Sequence, residues 1–394
     1  MKKPYRQLAN RTSHLQPEGA YAFLAKAQQL EAKGREIIHL EIGQPDFQTF
    51  DNIALSGIRA ITNGQTRYTP PAGIPPLREA IARYTGQRIG MTIEANQVIV
   101  GPGAKPLLFF PMMALLEPGD EVIYPDPGFP SYRAIIETMG ATPVPIGLSE
   151  EKDFSFDMEQ FRAKVSDRTR LIIINSPSNP TGGIIPEEDL QIIAEAAQKY
   201  DSWVLSDEIY TRLIYSEKPA RSIMTYPGMA ERTIIMDGFS KTYAMTGWRL
   251  GYGVMPKRLA DAVDLLLTHS VGCTAAFTQV AGVEALTGPQ DRVEEVRRIF
   301  QQRRDMIVKG LNAIPGITCR TPQGAFYVFP NIKSVGRPSR ELADYLLQEA
   351  GVCVLPGVSF GNMGEGYLRL CYSNSIEAIE KALEKIKLAL SKYN

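Results

Sequence analysis

The chain has 394 residues, 44% hydrophobic and 22% charged, with 43 basic and 43 acidic side chains and a formal net charge of zero. That is a globular composition with enough chain for two cores, and the absence of a basic excess argues against a nucleic-acid partner. No apolar run is long enough to span a bilayer, and the opening MKKPYRQLANRTSHLQPEG has basic residues without the apolar stretch of a secretory signal.

The four cysteines, Cys273, Cys319, Cys353 and Cys371, form no CxxC pair. This argues against zinc or a redox motif and fits a reducing, cytoplasmic setting. His14, His39 and His269 are scattered without metal-ligand spacing, so no metal is expected.

In chain order, the first 48 residues are expected to pack as a segment on the C-terminal part, and 49–288 to form a large domain. From Val98 to Met255 short apolar runs alternate with amphipathic stretches. Candidate strands are VIVG from Val98, EVIY from Glu121, LIIIN from Leu171, WVLSD from Trp203, TIIMD from Thr233 and LGYGV from Leu250. They are almost continuously apolar, as strands covered on both faces are. Between them EEDLQIIAEAAQKY carries Leu190, Ile193, Ala194, Ala197 and Tyr200 at helical steps. The alternation predicts an α/β fold: a mostly parallel central sheet with helices on both faces.

After the breaker pair Gly288-Pro289 a long helix is predicted, with Val293, Val296, Ile299 or Phe300, Arg303, Met306 and Ile307 on one stripe. The strand signal AFYVFP, a helix capped by Ser339, the strand YLRLCYS and a last helix capped by Asn374 or Ser375 complete a smaller α+β domain, 289–394.

Four segments carry candidate chemistry. GPGAK from Gly101 follows a strand and opens a predicted helix at about Gly103, where backbone N–H groups can cradle a phosphate; a plain Gly-rich turn is the alternative. Asp207, in SDEIY, ends an apolar strand, where α/β sheets bind ligands; it can pair with a pyridinium N–H or simply cap the next turn. Tyr210 lies three residues on. Lys241 follows another apolar strand, and desolvation there would lower its pKa and free its amine as a nucleophile, unless it is an ordinary surface lysine. Arg249 is either a phosphate ligand returning to the same pocket or a surface charge. With the Asn-Pro-Thr-Gly loop from Asn179, these are the partners that pyridoxal phosphate (PLP) needs.

The motifs EIGQPDF from Glu41, YTPPAGIPPLREAI from Tyr68, GPGAK, YPDPGFPSY from Tyr124, NSPSNPTG from Asn175, SDEIY, SKTYAMTGWRLGY and YLRLCYS together give a chain that resembles the fold-type I PLP enzymes of class I/II aminotransferases, in particular bacterial aspartate-aminotransferase-like proteins. The resemblance implies the PLP-transferase fold and a ping-pong exchange of an amino group between an amino acid and a 2-oxo acid. A β-lyase on the same fold is the rival outcome. By this resemblance Lys241 holds the cofactor and shuttles the proton, and Asp207 pairs with the ring nitrogen. Tyr210 and Asn179 donate to the ring's phenolic oxygen, and Phe129 stacks on the ring. Gly103, Ala104, Lys105, Ser240 and Arg249 form the phosphate cup. Arg369 holds the substrate carboxylate, with Gly43 closing over it. Tyr68 reaches the phosphate of a neighbouring subunit, which implies a homodimer with shared sites. Gly238 departs from the pattern, standing where relatives often have a second phosphate-binding Ser. Asn179-Pro180 is a candidate cis bond. The apolar PLLFFPMMALL after Lys105, with Tyr21 and Phe23 as candidate pocket residues, leans towards a broad or hydrophobic substrate range.

Overall fold

In the computed structural model the described residues are 9–392, apart from 13, 14, 16, 18 and 217–219. His14 and the first eight residues of the expected N-terminal segment therefore lie outside them.

One sheet organises the larger part of the chain. In spatial order its strands are Val98–Gly101, Gly251–Val254, Thr233–Gly238, Trp203–Asp207, Thr169–Asn175, Glu121–Asp126, Thr142–Ser149 and Ser155–Phe156. The five from Thr233–Gly238 to Thr142–Ser149 run parallel; Gly251–Val254 is antiparallel to both of its neighbours. The period of two along each strand explains the near-continuous apolarity. Leu171, Ile173, Leu205, Ile234 and Met236 pack with Leu107, Leu108, Tyr132 and Val263 on one side. Their sequence neighbours Ile172, Ile174 and Val204 pack with Phe161, Leu190 and Ile193 on the other. All six predicted strands are present within a few residues.

Thr142–Ser149 is a strand outside the six predicted ones, and its Pro143 and Pro145 lack the N–H of a central strand. The structure resolves the conflict. The Thr142 N–H donates inward to the Asp120 carbonyl, so 143 and 145 turn their backbones outward. On that side the Pro145 carbonyl accepts from Lys164 Nζ at 2.7 Å, and Ser155–Phe156 pairs only with Leu148 and Ser149. Both prolines thus face a free edge.

The remainder is α+β. Leu368–Cys371 lies between Tyr327–Val328 and Leu355–Pro356, antiparallel to both, under the helices Asp291–Asn312, Ser339–Tyr345 and Ile376–Ser391. Ile38–His39 pairs in parallel with Val352–Cys353. On the long helix Phe300, not Ile299, takes the buried position. Arg303 interrupts that apolar stripe because both of its terminal nitrogens donate to Asp46, at 2.7 and 2.9 Å. Ser375 is the N-cap of the last helix, accepting from the Ala378 N–H. Two expectations shift. Ser339 is the first helical residue rather than the cap, with its N–H and Oγ donating to Glu365. The helix expected from Gly103 begins at Pro106, because Gly103 adopts φ +92°, outside helical space.

Glycine is required at Gly251 for close approach. A Cβ there would lie 2.5 Å from both the Ala104 nitrogen and the Gly103 carbonyl carbon, which are backbone atoms and cannot give way cheaply. Gly251→Ala is expected to lower stability by about 1–3 kcal/mol, as overpacking of a filled site does. A urea midpoint equal to that of the parent would show that the 102–105 turn has room to spare.

Candidate active site

The parallel strands put several candidate residues at one end of the sheet, beyond the carboxyl ends of its central strands. Asn175 and Asp207 close adjacent strands and stand in register, and Asp207 is opposite Met236 on the next strand. Immediately after Gly238, the helical turn Phe239–Thr242 presents Ser240 and Lys241. Across the antiparallel strand, Gly251 faces both Gly238 and Gly101, bringing the turn 102–105 to the same end.

Asp207 is 4% exposed. Tyr132 Oη donates to Asp207 Oδ2 at 2.6 Å, and the Ile209 N–H donates to Oδ1 at 3.3 Å. Both donors are neutral, and among the described residues Asp207 has no ion-pair partner. Burial raises its pKa to about 6, against the lowering effect of those two hydrogen bonds. Lys241 shows the mirror effect. Burial lowers its pKa to about 8; Cys371 opposes this, while the positive Arg369 and Arg249 add to it. Lys241 Nζ donates to the Gly43 carbonyl at 2.5 Å.

Arg369, also 4% exposed, donates through Nη1 to Asn179 Oδ1 at 3.4 Å and through Nη2 to the Glu41 carbonyl. Its Nε has no partner among the described residues. The guanidinium lies 4.6 Å from the ring centre of Tyr327 and 4.9 Å from that of Phe360. Tyr327 shares a 2.8 Å hydrogen bond with Tyr210, whose hydroxyl is pushed well up by burial. Asn179 is fixed by its N–H donating to Asn175 Oδ1 at 2.8 Å. Its bond to Pro180 is cis, as expected, and Asp126-Pro127 and Ser176-Pro177 are cis as well.

Among the residues expected to hold a phosphate, Arg249 lies against Gly103: a Cβ on that glycine would sit 2.3 Å from Arg249 Nη2. Ala104 lies beneath Gly251 in the same turn, with Lys105 exposed beside it and its Nζ 5.1 Å from the ring centre of Phe129. Phe129 packs edge-on to Tyr132, the donor to Asp207. The structure also accounts for Gly238. A Cβ there would lie 3.1 Å from Gly251 Cα and 3.2 Å from Ile209 Cδ1, so a serine would need its neighbours to give way.

The structure thus gathers Gly43, Asn179, Tyr210, Lys241 and Arg369, with Asp207 beneath and the Gly103–Arg249 contact beside them. Tyr68 stands apart, 98% exposed. Of the two residues suggested for substrate range, Phe23 belongs to the core and Tyr21 is 62% exposed. The sequence reasoning missed Tyr132, Tyr327, Asn175 and Glu41. Tyr132 and Glu41 lay inside quoted motifs, and Tyr327 inside a strand signal, but nothing in the residue pattern distinguished them from packing residues.

These features define an α/β protein with a largely buried polar site at the carboxyl ends of parallel strands. The family model for aminotransferase class I and II matches residues 35–386, and the chain belongs to that family. An aspartate aminotransferase of Pyrococcus horikoshii is 42% identical over 361 residues, 91% of this chain and 92% of the relative. A Thermus thermophilus aspartate aminotransferase solved with maleate superposes with a TM-score of 0.93 at 36% identity, over 98% of this chain and all of that one. The aromatic aminotransferase of P. horikoshii gives 0.88 at 36%, over 94% and 99%. The protein is an enzyme that transfers amino groups, which disfavours the β-lyase reading. The fold is the expected one, a mostly parallel sheet flanked by helices beside a smaller α+β part. Among the described residues no helix is long and apolar enough to cross a membrane.

If burial governs the lysine, its amine titrates near 8 rather than 10.5. Trapping of an added aldehyde on Lys241 by a hydride reductant, followed by mass spectrometry across pH, should show a midpoint near 8. A midpoint above 10 would place the amine in water.

Proposed function

We propose that this chain is a PLP-dependent aminotransferase that moves an amino group between an L-amino acid and a 2-oxo acid by a ping-pong cycle, with aspartate-like or broad range. The observation that carries the reading is Asp207, a buried carboxylate held by neutral donors alone, in electrostatic contact with a lysine that burial favours in its neutral form. That donor set fits a ligand that brings a cationic ring N–H to the acid and an aldehyde to the amine.

In this reading Lys241, Asp207, Tyr210, Asn179 and Phe129 hold the ring, and Gly103, Ala104, Lys105, Ser240 and Arg249 its phosphate. Tyr68 completes the phosphate contacts from a second copy, and its 98% exposure suits a residue that reaches out of its own subunit. PLP, when bound, supplies a ring that accepts the charge left when the Cα proton departs. Lys241 Nζ takes that proton and returns it, as a neutral amine can. Asp207 keeps the proton on the ring nitrogen by stabilising its positive charge. Arg369 orients the substrate through its α-carboxylate, for which a planar fork suits, with Gly43 and Asn179 beside it. Relatives named for aspartate and for aromatic substrates share this architecture at comparable identity, which supports a broad range.

We assign 1–48 as a segment docked on the small domain, 49–288 as the large domain and 289–394 as the small domain. The Ile38–His39 pairing with Val352–Cys353 supports the first. Four cysteines without a disulfide support a cytoplasmic location.

The test is an absorbance spectrum of the purified protein with PLP, before and after adding single amino acids without an oxo acid. A visible cofactor band that shifts with particular donors is expected; no band with added PLP would overturn the reading. Lys241→Ala should abolish turnover, and Asp207→Ala should cost on the order of a hundredfold or more. Arg369→Ala should raise KM for the amino acid about tenfold to a hundredfold, as loss of a charged hydrogen bond worth ~1.5–3 kcal/mol does. An unchanged KM would remove Arg369 from the substrate contacts.

A further inference from the structure

The strap from His39 to Asp46 touches both Arg369 and Lys241, through the carbonyls of Glu41 and Gly43, and it carries a charge pair with no part in the chemistry described above. We propose that His39 and Glu41 are a positioning pair: their ion pair holds the strap, and through it Arg369, in the orientation that receives the substrate carboxylate. The proposal rests on the reading of Arg369 as the carboxylate anchor.

Glu41 is completely buried, with Oε1 2.7 Å from His39 Nδ1 and Oε2 without a hydrogen bond. The other ring nitrogen of His39, Nε2, lies 3.0 Å from Glu31 Oε1. Each imidazole nitrogen therefore faces a carboxylate oxygen, and only the imidazolium has an N–H for both. His39 is 32% exposed at its side chain, so water can deliver and remove that proton while Glu41 remains dry. The hydrogen bond to Glu41 is the main cause raising the His39 pKa to about 9; burial opposes it and Glu31 adds to it. The elements packed around the pair contribute Glu31 from the helix Gly19–Glu31, the Cys353 thiol from the paired strand, and the Lys26–Asp344 ion pair. Among the described residues His39 is the cation that pairs with Glu41.

The backbone passes the effect on. The Leu40 N–H donates to the Cys353 carbonyl at 2.9 Å, and the Leu40 carbonyl accepts from the Cys371 N–H at 2.7 Å, two residues from Arg369. The Glu41 carbonyl accepts from Arg369 Nη2, and the Gly43 carbonyl from Lys241 Nζ. Gly43 packs so closely on Tyr327 that a Cβ would meet its hydroxyl at 2.1 Å. With His39 neutral, Glu41 becomes a buried, uncompensated anion. It then draws the strap towards water or another cation, and its negative field opposes a carboxylate arriving at Arg369. Both consequences weaken substrate binding.

The experiment uses the full-length enzyme and maleate as a non-reacting carboxylate. His39→Gln and Glu41→Gln should each weaken maleate binding, measured by calorimetry, about tenfold. KM for the amino donor should rise far more than kcat falls, and the double variant should lose no more than either single one, because both remove the same interaction. A second measurement needs no variant. Binding linkage is reciprocal, so saturating maleate should raise the pKa of the His39 imidazole, read by NMR on histidine-labelled protein, by about one unit. Maleate affinity within twofold of the parent in both variants, or a His39 titration that maleate leaves in place, overturns the proposal. Arg369→Ala separates the two readings: if it weakens maleate and the pair does not, only the positioning role falls; if it too leaves maleate unaffected, the anchor reading falls and takes the positioning role with it.

Discussion

Asp207 ends a strand covered on both faces, so its carboxylate is out of reach of water, and the site is built around that constraint. A shift from 3.8 to about 6 corresponds to about 3 kcal/mol of disfavoured charge. That is what remains after two neutral donors, Tyr132 and the Ile209 N–H, have offset part of the burial penalty. A surface acid would lack this tension, and an acid paired with an internal Arg or Lys would have it cancelled. Arg88 is used elsewhere, 2.6 Å from the adjacent Glu208, which also accepts from Ser206 and Ser222. Two neighbouring acids on one strand end are thus treated differently: Glu208 is neutralised by the chain and Asp207 is not.

The second constraint is steric. Gly101, Gly251 and Gly238 lie side by side across three strands. Without side chains they let the turn 102–105 settle directly on the sheet, with the Arg249 guanidinium against Gly103. Arg249 holds φ +53° and donates through Nη1 to the Thr246 carbonyl. A backbone turn and a guanidinium therefore converge at the same end of the sheet, an arrangement that suits the phosphate proposed to bind there.

How much of this was legible in the sequence follows from the kind of signal each residue leaves. Strands buried on both faces announce themselves by unbroken Val and Ile, and Asp207 and Lys241 follow such runs, so their place at the sheet's end was readable. The edge strand Thr142–Ser149 was not, because its two prolines are compatible with pairing only when their missing N–H groups face outward, a fact of orientation and not of composition. Tyr132 and Tyr327 were hidden for a related reason. A buried tyrosine in an apolar run looks like packing, and its hydroxyl gains a role only when a partner from a distant segment meets it: Asp207 lies 75 residues from Tyr132, and Tyr210 lies 117 from Tyr327. His39 was legible as a residue and not as half of a pair: Glu31 meets it only when the helix Gly19–Glu31 folds back beside the strand Ile38–His39, and the i, i+2 spacing to Glu41 does not by itself show that the two side chains turn towards each other.

The opposite shifts of Asp207 and Lys241 have one cause. Burial penalises whichever form is charged, so it raises the acid and lowers the amine. The Arg369 guanidinium is oriented and kept from water by carbonyl and amide oxygens from Glu41 and Asn179 and by the faces of Tyr327 and Phe360. These partners are dipoles and quadrupoles without formal charge. They fix the direction of the guanidinium yet leave its positive charge uncancelled, so the carboxylate proposed to bind there would meet an oriented cation with no resident anion to displace. The nearby resident anion is Glu41, which contributes its carbonyl to Arg369 while its carboxylate is turned to His39. One residue thereby supports the cation with its backbone and has its own charge neutralised through its side chain.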